Sequence, residues 1–298
     1  MSTYSIKDLE HLSGIKAHTL RIWEQRYNFI KPKRTETNIR FYDDHDLKLI
    51  LNVSLLKDHG HKISKIAQMS LKTMQDEVLR FTEKNLRYPE KIHALTLAMI
   101  DLDEERFEKI MSTNILQLGF ESTMMNIIYP FLSKIGVLWQ TGNINPAQEH
   151  FITNLVRQKI IVAIDGQFIQ HHDDTKKYLL FLPEDEYHEI SILFASFLIK
   201  SRNNKVIYLG QSLPFNDVET VYEKHKPNYL LTIVTTQPNQ DQIQSYIDRL
   251  SKRFKEATVL ISGYQVIGQD LSIPSNVLIL NKISELNDFI SEHNVVHS

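Results

Sequence analysis

Apolar residues fall at helical spacing in the opening segment of the chain. Ile6, Leu9 and Leu12 line one face of a short helix from Ser5 to Ser13, and Leu20, Trp23 and Tyr27 line a second over Lys16 to Tyr27. Ser5 is placed to cap the first helix and Gly14 to break it. Two short helices about a glycine turn predict a helix-turn-helix unit. Pro32 closes the pair, the stretch Lys33 to Arg40 is polar, and Arg40-Phe41-Tyr42 reads as a strand returning from a tight loop. Asp43 or Asp44 then caps a longer helix carrying Leu47, Ile50, Leu51, Val53 and Leu55, which completes a winged arrangement.

From Leu71 to Phe168 the pattern is helical almost throughout, with breaks near Tyr88-Pro89, Asp101 to Asp103, Leu118-Gly119 and Thr141 to Pro146. Four or five helices with short breaks predict a bundle. After the polar stretch His171 to Lys177 the texture changes. Short β-rich runs at Tyr178 to Leu182, Val206 to Leu209, Tyr229 to Val234, Thr258 to Ile261 and Val277 to Leu280 alternate with helical ones. Strand and helix in alternation predict a doubly wound parallel sheet. The expected organisation is therefore multidomain, α and α/β: a winged helix-turn-helix over 1–72, a helical bundle over 76–170 and the sheet domain over 176–298.

With 298 residues, 42% of them hydrophobic and 23% charged, the chain has room for two or three ordinary globular cores. No apolar run approaches the roughly 20 residues of a membrane span. The absence of cysteine excludes disulfides, iron–sulfur clusters and thiolate zinc sites, and the start lacks the order of a secretory signal, so the cytoplasm is the expected location. The net charge of -2 hides an asymmetry: residues 1–70 hold 12 Lys+Arg against 8 Asp+Glu (+4), leaving 22 against 28 (-6) for the rest. The excess is small, so nucleic-acid binding is argued from where the charges sit.

A recognition helix points its early residues at base edges, which makes Lys16, His18, Thr19 and Arg21 candidate contacts, Arg21 foremost. The wing brings Lys33, Arg34 and Arg40 toward the phosphate backbone or the minor groove. Trp23 and Tyr27 read as core, and Tyr42 as either a core plug or a phosphate donor. Tyr4-Ser5-Ile6, Gly14-Ile15, Thr19-Leu20-Arg21-Ile22-Trp23-Glu24 and Arg40-Phe41-Tyr42 together resemble the signature of the MerR family of transcription regulators over residues 3–70. One departure is Asn38, where the family usually has Gly; Asn best tolerates positive φ after Gly. The resemblance implies a homo-oligomer, dimer or tetramer, on palindromic double-stranded operator DNA in the promoter region that RNA polymerase uses.

Two constellations remain. Trp139 is followed, across a loop, by Glu149-His150, and Glu186-x-His188 sits directly after the first strand of the sheet domain, at the edge where doubly wound folds bind ligands. A carboxylate two residues from a histidine can accept its second ring proton and orient the imidazole as a metal ligand. Taken singly, a histidine near a strand end is more often a surface or satisfied core residue, Trp139 can simply fill the bundle, and Glu149 can stabilise a helix start.

In order and spacing these residues resemble the cobalamin-binding modules of methionine synthase and, more closely, the MerR-type cobalamin regulators of the CarH and LitR type. That resemblance implies a four-helix bundle and a flavodoxin-like domain. It implies cobalamin, with an adenosyl upper ligand, capped by Trp139 with Glu149 and His150 beside it, and His188 as the cobalt ligand from below. Gly210, Thr232, Ser262 and Gly263 correspond to the remaining family positions. Departures are Ser191 for a family glycine, Thr232-Ile233-Val234 for Ser-x-Leu, Ser262-Gly263 for Gly-Gly, and Gln140 where light-sensing relatives carry a histidine that captures cobalt. They leave open a degenerate pocket, with regulation through protein contacts or another small ligand. An enzyme is not expected: the chain lacks the substrate barrel that cobalamin enzymes use.

Overall fold

Ser5 and Asp8 exchange hydrogen bonds across the first turn of α1 (Ile6–Ser13), Ser5 N–H donating to Asp8 Oδ2 at 2.6 Å and Asp8 N–H to Ser5 Oγ at 3.2 Å. Gly14 ends the helix in the left-handed region, with φ of 69°. After α2 (Ala17–Tyr27), β1 (Lys33–Arg34) pairs antiparallel with β2 (Arg40–Phe41). Asn38, between the two wing strands, has φ of 65°, the conformation in which asparagine substitutes best for glycine. The Asp43 cap opens α3 (Asp44–Asp58), and α4 (Ile63–Ile66) and α5 (Leu71–Lys84) follow. Leu9, Leu20, Trp23, Tyr42, Val53 and Met74 meet in one core.

The structure is a computed structural model that describes residues 4–28, 30–34, 38, 40–84, 88–140, 144–168 and 175–293. It divides into two units, Met1–Ile152 and Thr153–Ser298. The first unit continues with α6 (Pro89–Ile100), α7 (Glu104–Leu118) and α8 (Phe120–Thr123). A π-helical turn over Met124–Ile128 joins α8 to α9 (Tyr129–Gln140), and α10 (Pro146–Asp165) crosses the boundary between units. Ile92, Leu95, Met99, Phe107, Met111 and Phe131 are buried at helical spacing, which is what turns the pattern of this region into a bundle. No helix among the described residues is long and apolar enough to cross a membrane.

The second unit is built on β3 (Lys177–Pro183), α11 (Ile190–Lys200), β4 (Lys205–Leu213), α12 (Phe215–His225), β5 (Tyr229–Ile233), α13 (Ile243–Arg253), β6 (Thr258–Ser262), β7 (Val277–Ile279) and α14 (Ile283–His293). All pairings are parallel, in the order β4-β3-β5-β6-β7. This is the flavodoxin-like arrangement, whose strand order reverses between β3 and β5 and whose ligands bind at the carboxyl ends there. Tyr178 to Pro183 are all buried, as a central parallel strand requires.

One strand runs well beyond its sequence reading. The second strand does not stop before Gly210: it runs to Leu213, with Phe181 opposite Gly210 and Pro183 opposite Leu213 through irregular register. Gly210 at φ of 87° and Ser212 at φ of 52° provide the irregularity that lets pairing with β3 resume. Thr232 lies inside β5, opposite Phe181, as the run Tyr229 to Val234 predicts.

Candidate functional sites

On α2 the residues His18, Arg21, Ile22 and Gln25 are exposed, while Leu20 and Trp23 are buried. This is one face of a helix turned to solvent, and Ile22, 52% exposed, is its apolar member, a residue the sequence argument left out. Thr19 is half-buried, its Oγ1 3.3 Å from His18 Nε2. Lys16 is exposed at the helix start with Nζ 3.0 Å from Glu10 Oε1, and Ala17 N–H donates to Glu10 Oε2 at 3.0 Å. The Ala17 amide, followed by Lys16, holds the Glu10 carboxyl below its ordinary range.

In the wing, Arg34 Nη1 donates to Asn38 Oδ1 at 2.7 Å, and Arg40 is exposed on β2. Lys33 Nζ donates to Asp43 Oδ2 and, at 3.4 Å, to Asp46 Oδ2. A phosphate approaching Lys33 therefore competes with two carboxylates already present. Tyr42 needs correcting as a phosphate donor. It is fully buried and its hydroxyl donates to Glu24 Oε1, so the ring plugs the core and the one polar atom is committed. Burial first, and Glu24 second, push its phenol pKa upward.

At the carboxyl ends of β3 and β5, Glu186 is completely buried and collects hydrogen bonds from two loops. Its Oε1 accepts from His188 Nδ1 at 2.6 Å and from His188 N–H at 3.0 Å. Its Oε2 accepts from the backbone N–H groups of Thr235, Thr236 and Gln237 at 2.9, 2.6 and 3.1 Å, and from Thr236 Oγ1 at 3.1 Å. Burial pushes the carboxyl upward, but the His188 ring and the amides of Thr236, His188 and Gln237 outweigh it and hold the group at about 2. An ionised carboxylate only accepts, so Nδ1 carries the proton and Nε2, on the far side of the ring, is the nitrogen with a lone pair for a metal. The imidazole itself is 59% exposed.

The other sheet-domain candidates lie along the same edge. Gly263 has φ of 113°, and a Cβ there would sit 2.4 Å from Val234 O, so the position admits no side chain. Gly210 has open space by comparison, with Tyr208 Cε1 nearest at 3.7 Å. Ser262 Oγ donates to Leu280 O at 2.6 Å, tying β6 to the residue after β7. Thr232 is fully buried, and its hydroxyl has no neighbour to bond but the buried hydroxyl of Tyr246 on α13. Burial raises the Tyr246 pKa, while the neighbouring Thr232 hydroxyl and the Arg249 charge act against it.

In the first unit, Glu149 sits in the first turn of α10 and His150 is exposed, with its Nδ1 3.6 Å from Glu149 Oε2. The Trp139 side chain lies outside the described residues. Sequence reasoning missed Thr235 to Gln237, which act through backbone amides and carry no compositional signal. It also missed Glu189, Arg157 and Tyr208, of which Glu189 was visible as an acidic residue directly before the apolar run of α11.

Residues 4–72 match the family of MerR HTH family regulatory proteins, and residues 91–163 match the B12 binding domain. The chain joins a MerR helix-turn-helix domain to a B12-binding domain. The HTH-type transcriptional repressor CarH of Myxococcus xanthus is 25% identical over 246 residues, covering 80% of this chain and 81% of that protein. The HTH-type transcriptional repressor CarA of the same organism is 25% identical over 217 residues, 71% of this chain and 69% of that one. The monomethylamine corrinoid protein of Methanosarcina barkeri superposes with a TM-score of 0.54 over 69% of this chain and 99% of its own, at 12% identity, a likeness of fold. The B12-binding match covers helical residues of the MerR-linked region, and the Glu186–His188 pair lies beyond it, in the sheet domain.

Proposed function

We propose that this chain is a DNA-binding transcriptional regulator that holds a cobalamin, with His188 as the lower ligand to cobalt. In this reading the corrinoid sets the oligomeric state and, through it, operator occupancy. The observation that carries it is the Glu186–His188 pair at the strand-order reversal, an imidazole whose tautomer a buried carboxylate fixes. The donor set suits a corrinoid: Nε2 of an imidazole held at the strand-order reversal is the ligand nitrogen, and Gly210, at positive φ on the same edge, has open space around it. Bound there, the cofactor would supply a cobalt centre that takes an imidazole nitrogen and an exchangeable ligand, with His188 holding it.

Gly210, Thr232, Ser262 and Gly263 would border the nucleotide tail, and Trp139, Glu149 and His150 would serve the upper face, which in the resembling regulators covers an adenosyl group. His18, Thr19, Arg21 and Lys16 read the operator, and Lys33, Arg34 and Arg40 steady the wing against phosphates. Two half-sites joined by a dimer multiply their affinities, so a ligand that changes assembly changes occupancy steeply. The partners are operator DNA in a promoter region used by RNA polymerase and further copies of this chain.

The test is absorbance of the purified chain mixed with adenosylcobalamin in the dark, with size-exclusion chromatography alongside. Wild type acquires the corrin bands and changes its elution, and His188→Ala binds weakly or without histidine ligation. A wild-type chain that takes up no corrinoid would overturn the reading. It would leave a MerR-type regulator with a degenerate pocket, in keeping with Ser191 and Ser262.

A further inference from the structure

His188 stands in the six-residue loop 184–189 between β3 and α11, and a second buried carboxylate closes that loop. Glu189 is 7% exposed and directly precedes α11, the position from which a short polar side chain ordinarily bonds the free N–H groups of the first turn. Its side chain makes no such bond. Instead Oε1 accepts from Arg157 Nε, and Oε2 accepts from Tyr208 OH on β4 at 3.2 Å. Tyr187 and His188 are exposed between two buried anchors: Glu186, bonded to the 235–237 loop, and Glu189, bonded to α10 and β4. At the start of the loop Ser212 Oγ accepts from Asp185 N–H at 3.1 Å, and Ser212 N–H donates to Glu186 O at 3.1 Å.

We propose that Arg157 is a positioning residue for His188: through its ion pair with buried Glu189 it fixes the C-terminal end of the loop that presents the imidazole. The inference rests on the reading of His188 as the cobalt ligand. Glu189 is buried while the Arg157 side chain is 44% exposed, so loss of the guanidinium leaves a buried carboxylate with the Tyr208 hydroxyl alone, draws Glu189 toward water and takes the neighbouring His188 backbone with it. Glu186 then holds the ring to a loop whose other end is tied through the Tyr208 hydroxyl alone. Arg157 is carried by the part of α10 that belongs to the second unit, so the anchor lies wholly within that unit.

The experiment uses the full chain as Arg157→Ala, Arg157→Lys and Glu189→Gln, with two readouts. In the ligand-free protein, amide hydrogen exchange at 186–189 rises at least tenfold in Arg157→Ala while the core of β3 keeps its protection, and Arg157→Lys restores most of it. With adenosylcobinamide, which lacks a nucleotide base of its own, the fraction of cobalt in the histidine-ligated spectral form falls at least threefold in Arg157→Ala and in Glu189→Gln, and recovers in Arg157→Lys. Wild-type exchange and wild-type ligation in Arg157→Ala overturn the proposal. So does raised exchange with ligation unchanged, since Arg157 then supports only the fold. If wild type takes up adenosylcorrinoids with no histidine ligation, the reading of His188 falls, and the positioning role falls with it. If it takes up none, the cobalamin reading falls, and the exchange arm alone decides whether Arg157 holds the loop.

Discussion

Oε1 of Glu186 accepts two hydrogen bonds from His188, one from ring Nδ1 at 2.6 Å and one from the backbone N–H at 3.0 Å. The same residue is thereby fixed in both backbone and ring, while Oε2 is left for the amides of Thr235, Thr236 and Gln237. One carboxylate thus joins the loops that follow β3 and β5 and sets the imidazole tautomer. Glu186→Gln keeps the shape but turns an N–H₂ group toward donors, leaving buried amides unsatisfied. The expected cost is about 3 kcal/mol in urea unfolding of the ligand-free chain, with faster amide exchange at 235–237 than elsewhere in the sheet domain. A stability within about 0.5 kcal/mol of wild type would show that the loops hold together without the charge.

Much of this arrangement was legible because the chemistry is local. Glu186 and His188 are two positions apart, the Ser5 and Asp43 caps precede their helices, and the tolerance of Asn38 for positive φ follows from its side chain alone. What stayed hidden depends on partners remote in sequence. The amides of 235–237 meet Glu186 across about 50 positions, and Arg157 meets Glu189 across 32. β4 was cut short because a glycine inside a strand pattern reads as an end, whereas here it marks an irregularity within a continuing ladder.

Gly263 and Gly210 separate two kinds of glycine requirement. Both have positive φ, but a Cβ on Gly263 would lie 2.4 Å from Val234 O, whereas one on Gly210 would find nothing nearer than 3.7 Å. Gly210→Ala should cost about 1 kcal/mol, the conformational penalty alone. Gly263→Ala should cost about 3 kcal/mol or more, since backbone must move. Denaturant midpoints followed by circular dichroism give the comparison, and equal losses would mean that the β6 end relaxes freely.

Tyr42→Phe distinguishes the two roles open at the sequence level. The hydroxyl donates to Glu24, so its loss should destabilise the winged domain by about 1 kcal/mol while leaving affinity for a duplex selected from a random pool unchanged. Arg21→Ala should do the reverse, lowering duplex affinity at least tenfold, about 1.4 kcal/mol, at unchanged stability. Fluorescence anisotropy at fixed salt and thermal unfolding measure the two quantities. A tenfold affinity loss in Tyr42→Phe would restore the phosphate contact.

Asp43 gives the winged domain an acid limit. Lys33, and then the Asp46 amide, lower its carboxyl from 3.8 to about 2. A depressed folded-state pKa means that the stabilisation is fully present above about pH 4 and is lost as pH falls toward 2. Asp43→Asn keeps a capping side chain but loses the carboxylate charge that pairs with Lys33. Its deficit relative to wild type should therefore shrink on moving from pH 6 to pH 3, seen in paired thermal melts and in the carboxyl carbon shift of Asp43. A deficit independent of pH would show that Lys33 contributes nothing through charge.

Thr232 poses the last question, because its hydroxyl is fully buried with only the Tyr246 hydroxyl beside it, in a position where most polar groups are satisfied. Valine has nearly the same shape and no hydroxyl, so Thr232→Val removes a desolvation cost without opening a cavity. The ligand-free chain should gain about 1 kcal/mol in urea unfolding. If the hydroxyl is kept for a nucleotide tail, the same substitution should weaken cobalamin binding severalfold while leaving cobinamide, which has no tail, unaffected. The two corrinoids therefore divide a functional cost from a structural one. A variant that is more stable and binds both equally well would make the hydroxyl an unused remnant, and a less stable one would show that Tyr246 or a water molecule satisfies it in solution.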